Sequence, residues 1–413
     1  MEYVRFTEEM KRDYTILAPN MLPCHFKMYL QIFKNYGYNL ELLETKGRNI
    51  VEAGLKYVHN DTCYPAIVVI GQFLDAIQSG KYDTKKLALI MFQTGGGCRA
   101  SNYIFLIRKA LKRAGYGYIP VISLSFQSIE KHPGFNLTPQ MLYKMLFATL
   151  YGDLLLLLEN QCKPYEVNKG DTEKVTARLT QQLTEEMNKK RFNIAGAKRN
   201  YKKILDTYAA IEKRDENKVK VGIVGEIFVK FSPSGNNGLE KFLVDEGAEA
   251  VIPGFLDFLI YSIFNSIVDF KFYRRSPKAY PLYRVVYKIL TVMQKHMINT
   301  VKKDGRFRPS TPFKHTVSLA KEYISYGCKM GEGWLLPAEI LELADSGIKN
   351  IVCTQPFGCL PNHIVGKGMM NPIKQKNPGV NIIAVDYDAS ASEINQHNRI
   401  KLMLANAKSG QID

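Results

Sequence analysis

The chain reads as an α/β protein: two parallel-sheet domains, a helical section linking them, and a helical insertion in the second. Three observations predict this. Short apolar runs of strand type alternate with helical periods over residues 1–135, and the same alternation returns over residues 216–413. Between them, residues 136–215 turn helical and polar. At 413 residues the chain also exceeds what one ordinary core serves. Strands that alternate with helices join through right-handed crossovers, so each sheet is expected to be doubly wound, with helices on both faces.

In the first domain, residues 14–18 form the first strand pattern, and Pro23 opens a helix that Gly37 closes. Residues 39–43 give the second strand, followed by a long connection. Helical pattern resumes at Pro65 and runs to about Ser79. The third strand is 87–92, the next helix 101–114, and the fourth strand 119–124. The linking section carries charges at helical spacing over 174–190 and 200–210. In the second domain a strand at 219–224 runs into Gly225-Glu226-Ile227, with a helix at 238–246 and a short strand at 250–252. Helices dominate the insertion, about 255–330, including 283–300 and 315–326. A helix at 335–346, a strand at 350–354, a helix at 361–376, a strand at 381–386 and a helix at 392–405 complete the plan. The second half repeats the first in architecture, without a sequence repeat.

Composition narrows the class. With 46% hydrophobic and 23% charged residues the chain is globular. No run reaches the ~18 apolar residues a membrane span needs; residues 154–158 are too few, and 255–270 are interrupted by Asp257, Asn265 and Asp269. Met1 to Arg5 carry no signal-peptide pattern, so no membrane partner and a cytoplasmic location are expected. The net charge of +17 fits solvated lysines, a phosphate-bearing substrate or an acidic partner. Its clusters at 198–203, 274–278 and 302–308 lack the aromatic interleaving of nucleic-acid modules, and nucleic acid is not the expected ligand.

The seven cysteines are odd in number, widely spread and free of any CxxC pair, which argues against a disulfide framework. Cys98 ends the stretch Gln93-Thr94-Gly95-Gly96-Gly97-Cys98 just past the third strand. Cys63 lies in the crossover after the second strand, and Cys359 in a loop after a strand of the second half. Each immediately precedes a helical pattern, on the sheet edge where open parallel sheets bind ligands. Three thiolates converging between two domains suit a soft metal or an iron–sulfur cluster, and zinc would want a fourth ligand. Gly95, Gly96, Gly97 and Gly358 would let backbone N–H groups approach such a group. Cys353, inside a strand pattern, is either a buried thiol or a fourth ligand. Cys24 at a strand end is geometrically eligible, and Cys162 and Cys328 read as core.

Glu226 and Glu332 fall in loops, as acid/base groups, partners of a cation or helix caps. Arg99 beside Cys98 would hold a carboxylate or phosphate, or offset cluster charge. His25 and His363 read as structural. No Gly-Lys-Ser/Thr follows the glycine run and no GxGxxG follows the first strand, so neither nucleotide hydrolysis nor a nicotinamide site is indicated.

Four motifs carry a resemblance: Asp61-Thr62-Cys63-Tyr64-Pro65, Gln93 to Arg99, Gly225-Glu226-Ile227 and Pro356-Phe357-Gly358-Cys359-Leu360-Pro361-Asn362-His363. Together they resemble the 2-hydroxyacyl-CoA dehydratases and the related cluster-bearing part of acyl-CoA dehydratase activase-related proteins. The resemblance implies two flavodoxin-like or Rossmann-like domains holding a [4Fe-4S] cluster on Cys63, Cys98 and Cys359, or a fused double-cubane cluster as in one relative. It implies a separate ATP-hydrolysing activator that supplies one low-potential electron. A CoA thioester is then dehydrated through a ketyl radical, or, in the double-cubane relative, a small molecule is reduced. A homo- or hetero-oligomer is expected. Whether the chain is a lyase, a reductase, or a non-catalytic scaffold or electron relay stays open at this point.

Overall fold

The computed structural model describes residues 3–93, 97–124, 130–189 and 192–410. The first half begins with α1 (Glu8–Asp13), β1 (Thr15–Pro19), α2 (Pro23–Asn35), β2 (Asn39–Leu43), α3 (Arg48–Tyr57) and α4 (Tyr64–Gln78). It continues with β3 (Leu87–Phe92), α5 (Tyr103–Arg113) and β4 (Val121–Leu124). Three helices follow: α6 (Pro139–Cys162), α7 (Asp171–Glu186) and α8 (Ile194–Ala209). The second half opens with β5 (Lys220–Gly225), α9 (Ile227–Phe231), α10 (Leu239–Asp245) and β6 (Glu249–Val251). The inserted helices are α11 (Phe255–Tyr273), α12 (Tyr280–Asp304) and α13 (Phe313–Ala320). Last come α14 (Leu335–Asp345), β7 (Asn350–Pro356), α15 (Gly368–Lys376), β8 (Asn381–Tyr387) and α16 (Glu393–Ser409).

The strands form two four-stranded, all-parallel sheets, ordered β2-β1-β3-β4 and β6-β5-β7-β8. Both follow one rule: second, first, third, fourth. The fold is therefore α/β with two sheets, as the alternation of elements predicts.

Side-chain alternation covers both sheet faces. Ile16, Ala18, Ala88, Ile90 and Ile122 face one core with α2 and α6, while Leu17, Leu87, Leu89 and Val121 face a second core with α4 and α5. That second core continues into the other sheet through Val221, Ile223, Val352 and Val385. The opposite side of the second sheet has its own core, with Val224, Ile351, Cys353 and Ile382 packed on α14 and α15. The two halves are thus joined by a shared apolar interior.

Four sequence expectations change. The linking section is helical, but its first helix, α6, is apolar and central rather than polar. Fourteen of its residues are buried, and it packs on α2 of the first half and on β6 and α11 of the second. By length and composition α6 could cross a membrane, and 67% of its apolar window is buried inside the protein; the five-residue run 154–158 is only its middle. The long connection after β2 contains a helix, α3. The helix expected over 315–326 stops at Ala320. The helix expected over 361–376 contains a π-turn, Asn362–Lys367.

Candidate functional site

Three of the seven cysteines meet where the two halves face each other. Cys63, Cys98 and Cys359 line one pocket with Pro65, Gly97, Arg99, Tyr103, Glu226, Gly358, Leu360 and Pro361. Each cysteine sits where a helical segment starts. Cys63 caps α4, Cys98 caps the 3-10 turn Arg99–Asn102 ahead of α5, and Cys359 directly precedes the helical turn that opens at Leu360. Helix starts turn unpaired N–H groups and the positive dipole end toward the pocket, which favours thiolate over thiol.

The loops are tied backbone to backbone. The Tyr64 N–H donates to the Phe357 carbonyl at 3.0 Å, joining the Cys63 turn to the Cys359 turn. Gly358 makes this approach feasible. It has φ +71°, and a Cβ there would stand 3.0 Å from Cys63 Cα. On the other side, the Gly97 N–H donates to Met330 Sδ at 3.1 Å. Gly331 (φ +58°) lies against Cys98: a Cβ on it would be 3.6 Å from Cys98 Sγ and 2.9 Å from Pro361. The Tyr261 hydroxyl steadies this loop through a bond shared between the Lys329 and Gly331 carbonyls, at 2.8 and 3.0 Å.

Each cysteine sulfur has its own hydrogen-bond partner. The Tyr103 hydroxyl lies 3.0 Å from Cys63 Sγ, the Ala100 N–H donates to Cys98 Sγ at 3.5 Å, and Asn362 Nδ2 donates to Cys359 Sγ at 3.3 Å. Glu226 caps α9, its Oε2 accepting from the Val229 N–H at 2.8 Å. Glu332 is buried, and its Oε1 accepts from the Ile227 N–H at 3.0 Å, so it supports the same turn. Arg99 is exposed at the pocket rim.

Burial raises every acidic group here. The Cys98 thiol is pushed up to about 12, first by burial and then by the charges of Glu332 and Glu226. Burial and the same two carboxyls raise Cys359 further. Burial also raises Cys63, with the Tyr103 hydrogen bond working against it. Glu226 is raised by burial and by Glu332, and Glu332 by burial. Three thiols and two carboxyls thus crowd into a low-dielectric space, with Arg99 as the cation on the pocket wall. The donor set fits a cationic, thiophilic occupant, because such a group removes the cost of ionising the sulfurs.

Among the described residues, no three His, Cys, Asp or Glu side chains close around one point as ligands of a single ion do. A cluster places a different iron on each cysteine, so its ligands stand further apart than those of one ion. The cavity between them is about 20 Å³, roughly one water. Seating a larger group therefore requires the loops that line it to part.

The remaining candidates lie elsewhere or outside the described residues. Gly95 and Gly96 belong to the latter. Cys353 is fully buried in the third core; a Cβ on Gly366 would be 3.7 Å from its sulfur. It is not brought to the pocket. Cys24 packs against the first core and Cys162 is buried, but Cys328, expected in the core, is exposed in the loop before α14. That loop crosses the surface to meet Gly97, which leaves its sulfur outside. His25 is structural, held by Asp153 at 2.9 Å. Tyr103 and Asn362 were not singled out in the sequence. Asn362 stands three residues after Cys359 at a helix start, a readable spacing; the reach of Tyr103 across to Cys63 depends on the crossover between them. No protein-family model and no curated protein matches the chain.

Proposed function

We propose that the chain is an iron–sulfur protein of the 2-hydroxyacyl-CoA dehydratase type, holding a [4Fe-4S] cluster on Cys63, Cys98 and Cys359 between its two domains. The observation that carries this reading is the convergence of these three cysteines, distant in sequence, in one pocket with a hydrogen-bond partner for each sulfur. Bound there, the cluster would supply low-potential one-electron chemistry, with electrons from a separate ATP-hydrolysing activator, for dehydration or reduction of a CoA-linked or small substrate. Cys353 stays in the core, so three cysteines leave one cluster position without a cysteine ligand.

The chain's own groups fall into roles around that position. Arg99 at the rim holds a substrate carboxylate, thioester oxygen or phosphate. Glu226 favours its protonated form, because burial and the nearby Glu332 carboxyl raise it while its Oε2 accepts from the Val229 N–H. Glu332 holds the α9 turn and so fixes Glu226 in place. Burial of Cys63 and Cys359 keeps bulk water from their thiols, while Cys98 is half-buried toward the rim.

Anaerobic reconstitution with iron and sulfide tests the reading. Wild type should gain a broad absorption near ~400 nm with about four irons per chain, and Cys98→Ala should lose it. A wild-type protein that takes up no iron, or a Cys98→Ala variant that reconstitutes like wild type, overturns it.

A further inference from the structure

We infer that Tyr103 and Asn362 are positioning residues that set the reduction potential of the group held by the three cysteines, each through one hydrogen bond to a ligand sulfur. The inference rests on the cluster reading above and goes beyond it, assigning roles to two residues that are not themselves ligands.

The geometry is specific. Tyr103 is the first residue of α5, five residues after Cys98, yet its hydroxyl reaches the cysteine of a different loop, 3.0 Å from Cys63 Sγ. Asn362 belongs to the π-turn after Cys359 and gives its Nδ2–H to that sulfur at 3.3 Å. Both side chains are buried, at 6% and 0% exposure, so neither bond competes with bulk water. The two residues come from different domains, and the third sulfur, of Cys98, is served by a backbone amide that mutation leaves in place. The Asn362 Oδ1 finds no partner in its buried position, while its Nδ2 is committed to sulfur.

Adding one electron makes the thiolate-bound group more negative, and a hydrogen bond to a ligand sulfur stabilises that state more than the oxidised one. Removing the donor therefore lowers the potential. A π-turn at this position is consistent with such a role, because π-turns inside helices are frequent at functional sites.

The test is anaerobic redox titration of reconstituted full-length protein, one electron per cluster taken from dithionite through viologen mediators and followed by absorbance and electron paramagnetic resonance. Tyr103→Phe keeps the ring and removes the donor; Asn362→Leu keeps the volume and removes the amide. Each should assemble the cluster and shift the reduced-to-oxidised ratio about tenfold toward oxidised at fixed potential, about 59 mV for a one-electron couple. Tyr261→Phe, which loosens the neighbouring loop without touching a cysteine, should lower thermal stability and leave the potential unchanged. If Tyr103→Phe and Asn362→Leu both titrate like wild type, or either folds but no longer retains the cluster, the assignment is overturned while the cluster reading stands. Should one variant fail to fold, the other decides. Wild type that assembles no cluster overturns the reading itself.

Discussion

Cys98 and Cys359 occupy equivalent places in two sheets of the same strand order: one follows β3, the other follows β7, and each is the third strand of its half. The equivalence extends to the loop before the next-to-last helical crossover. Cys63 directly precedes α4 in the first half, and Glu332 stands just before α14 in the second. The site is thus built from matching edges of two sheets of the same strand order.

On the proposed reading, that arrangement separates the three candidate ligands from the other cysteines. Cys63→Ser, Cys98→Ser and Cys359→Ser should each abolish the ~400 nm absorption of reconstituted protein. Cys353→Ala should retain it, with a loss of about 1 kcal/mol in denaturant unfolding from the buried space it leaves. Loss of the absorption in Cys353→Ala with the fold intact would make Cys353 a ligand after all.

The strands and the three cysteine loops were legible because both depend on local signals: apolar runs of four to seven residues, and a cysteine set between a strand end and a helix start. The central place of α6 was not, because its apolar residues surround the helix and give no one-sided stripe to separate a core helix from a linker. The exposure of Cys328 was hidden for another reason. It depends on how the loop before α14 reaches across to Gly97, a contact 233 residues apart. Likewise, Glu226 caps its own helix while Glu332 bonds the Ile227 N–H of that same turn, 105 residues away, a pairing that a linear reading offers only as one alternative.

Gly358 should tolerate no side chain. Its φ of +71° costs a non-glycine residue about 1–2 kcal/mol, and an added Cβ meets Cys63 Cα, backbone that can yield only by moving the loop. Gly358→Ala should therefore reduce iron content after reconstitution far more than it lowers stability. Full iron occupancy in this variant would show that the contact between the two loops does not hold the site together.

Behind the site, Lys230 on α9 and Glu339 on α14 form an ion pair at 2.8 and 3.1 Å, each side chain only 2% exposed. Removing one partner strands the other charge in the core. Lys230→Met should cost about 3–5 kcal/mol in urea unfolding, and Lys230→Met combined with Glu339→Leu should recover most of it. Additive losses in the double variant would mean the two residues act independently.

Glu342, one turn further along α14, supplies the pH dependence. It is buried with Oε2 unmatched, and burial pushes its carboxyl from 4.5 to about 8, with the Thr311 hydrogen bond opposing and Glu339 adding to the rise. A carboxyl raised in the folded state binds its proton more tightly there than in the unfolded chain. Its contribution is therefore fully present below about pH 4.5 and is lost as the pH climbs to about 8. Glu342→Gln cannot ionise, so its melting temperature should stay close to that of wild type near pH 5 and exceed it by several degrees at pH 8.5. Asp257, also raised by burial, should leave a residual slope in the variant. Parallel melting curves for the two proteins from pH 5 to 8.5 would mean that Glu342 is already ionised in the folded state at pH 5.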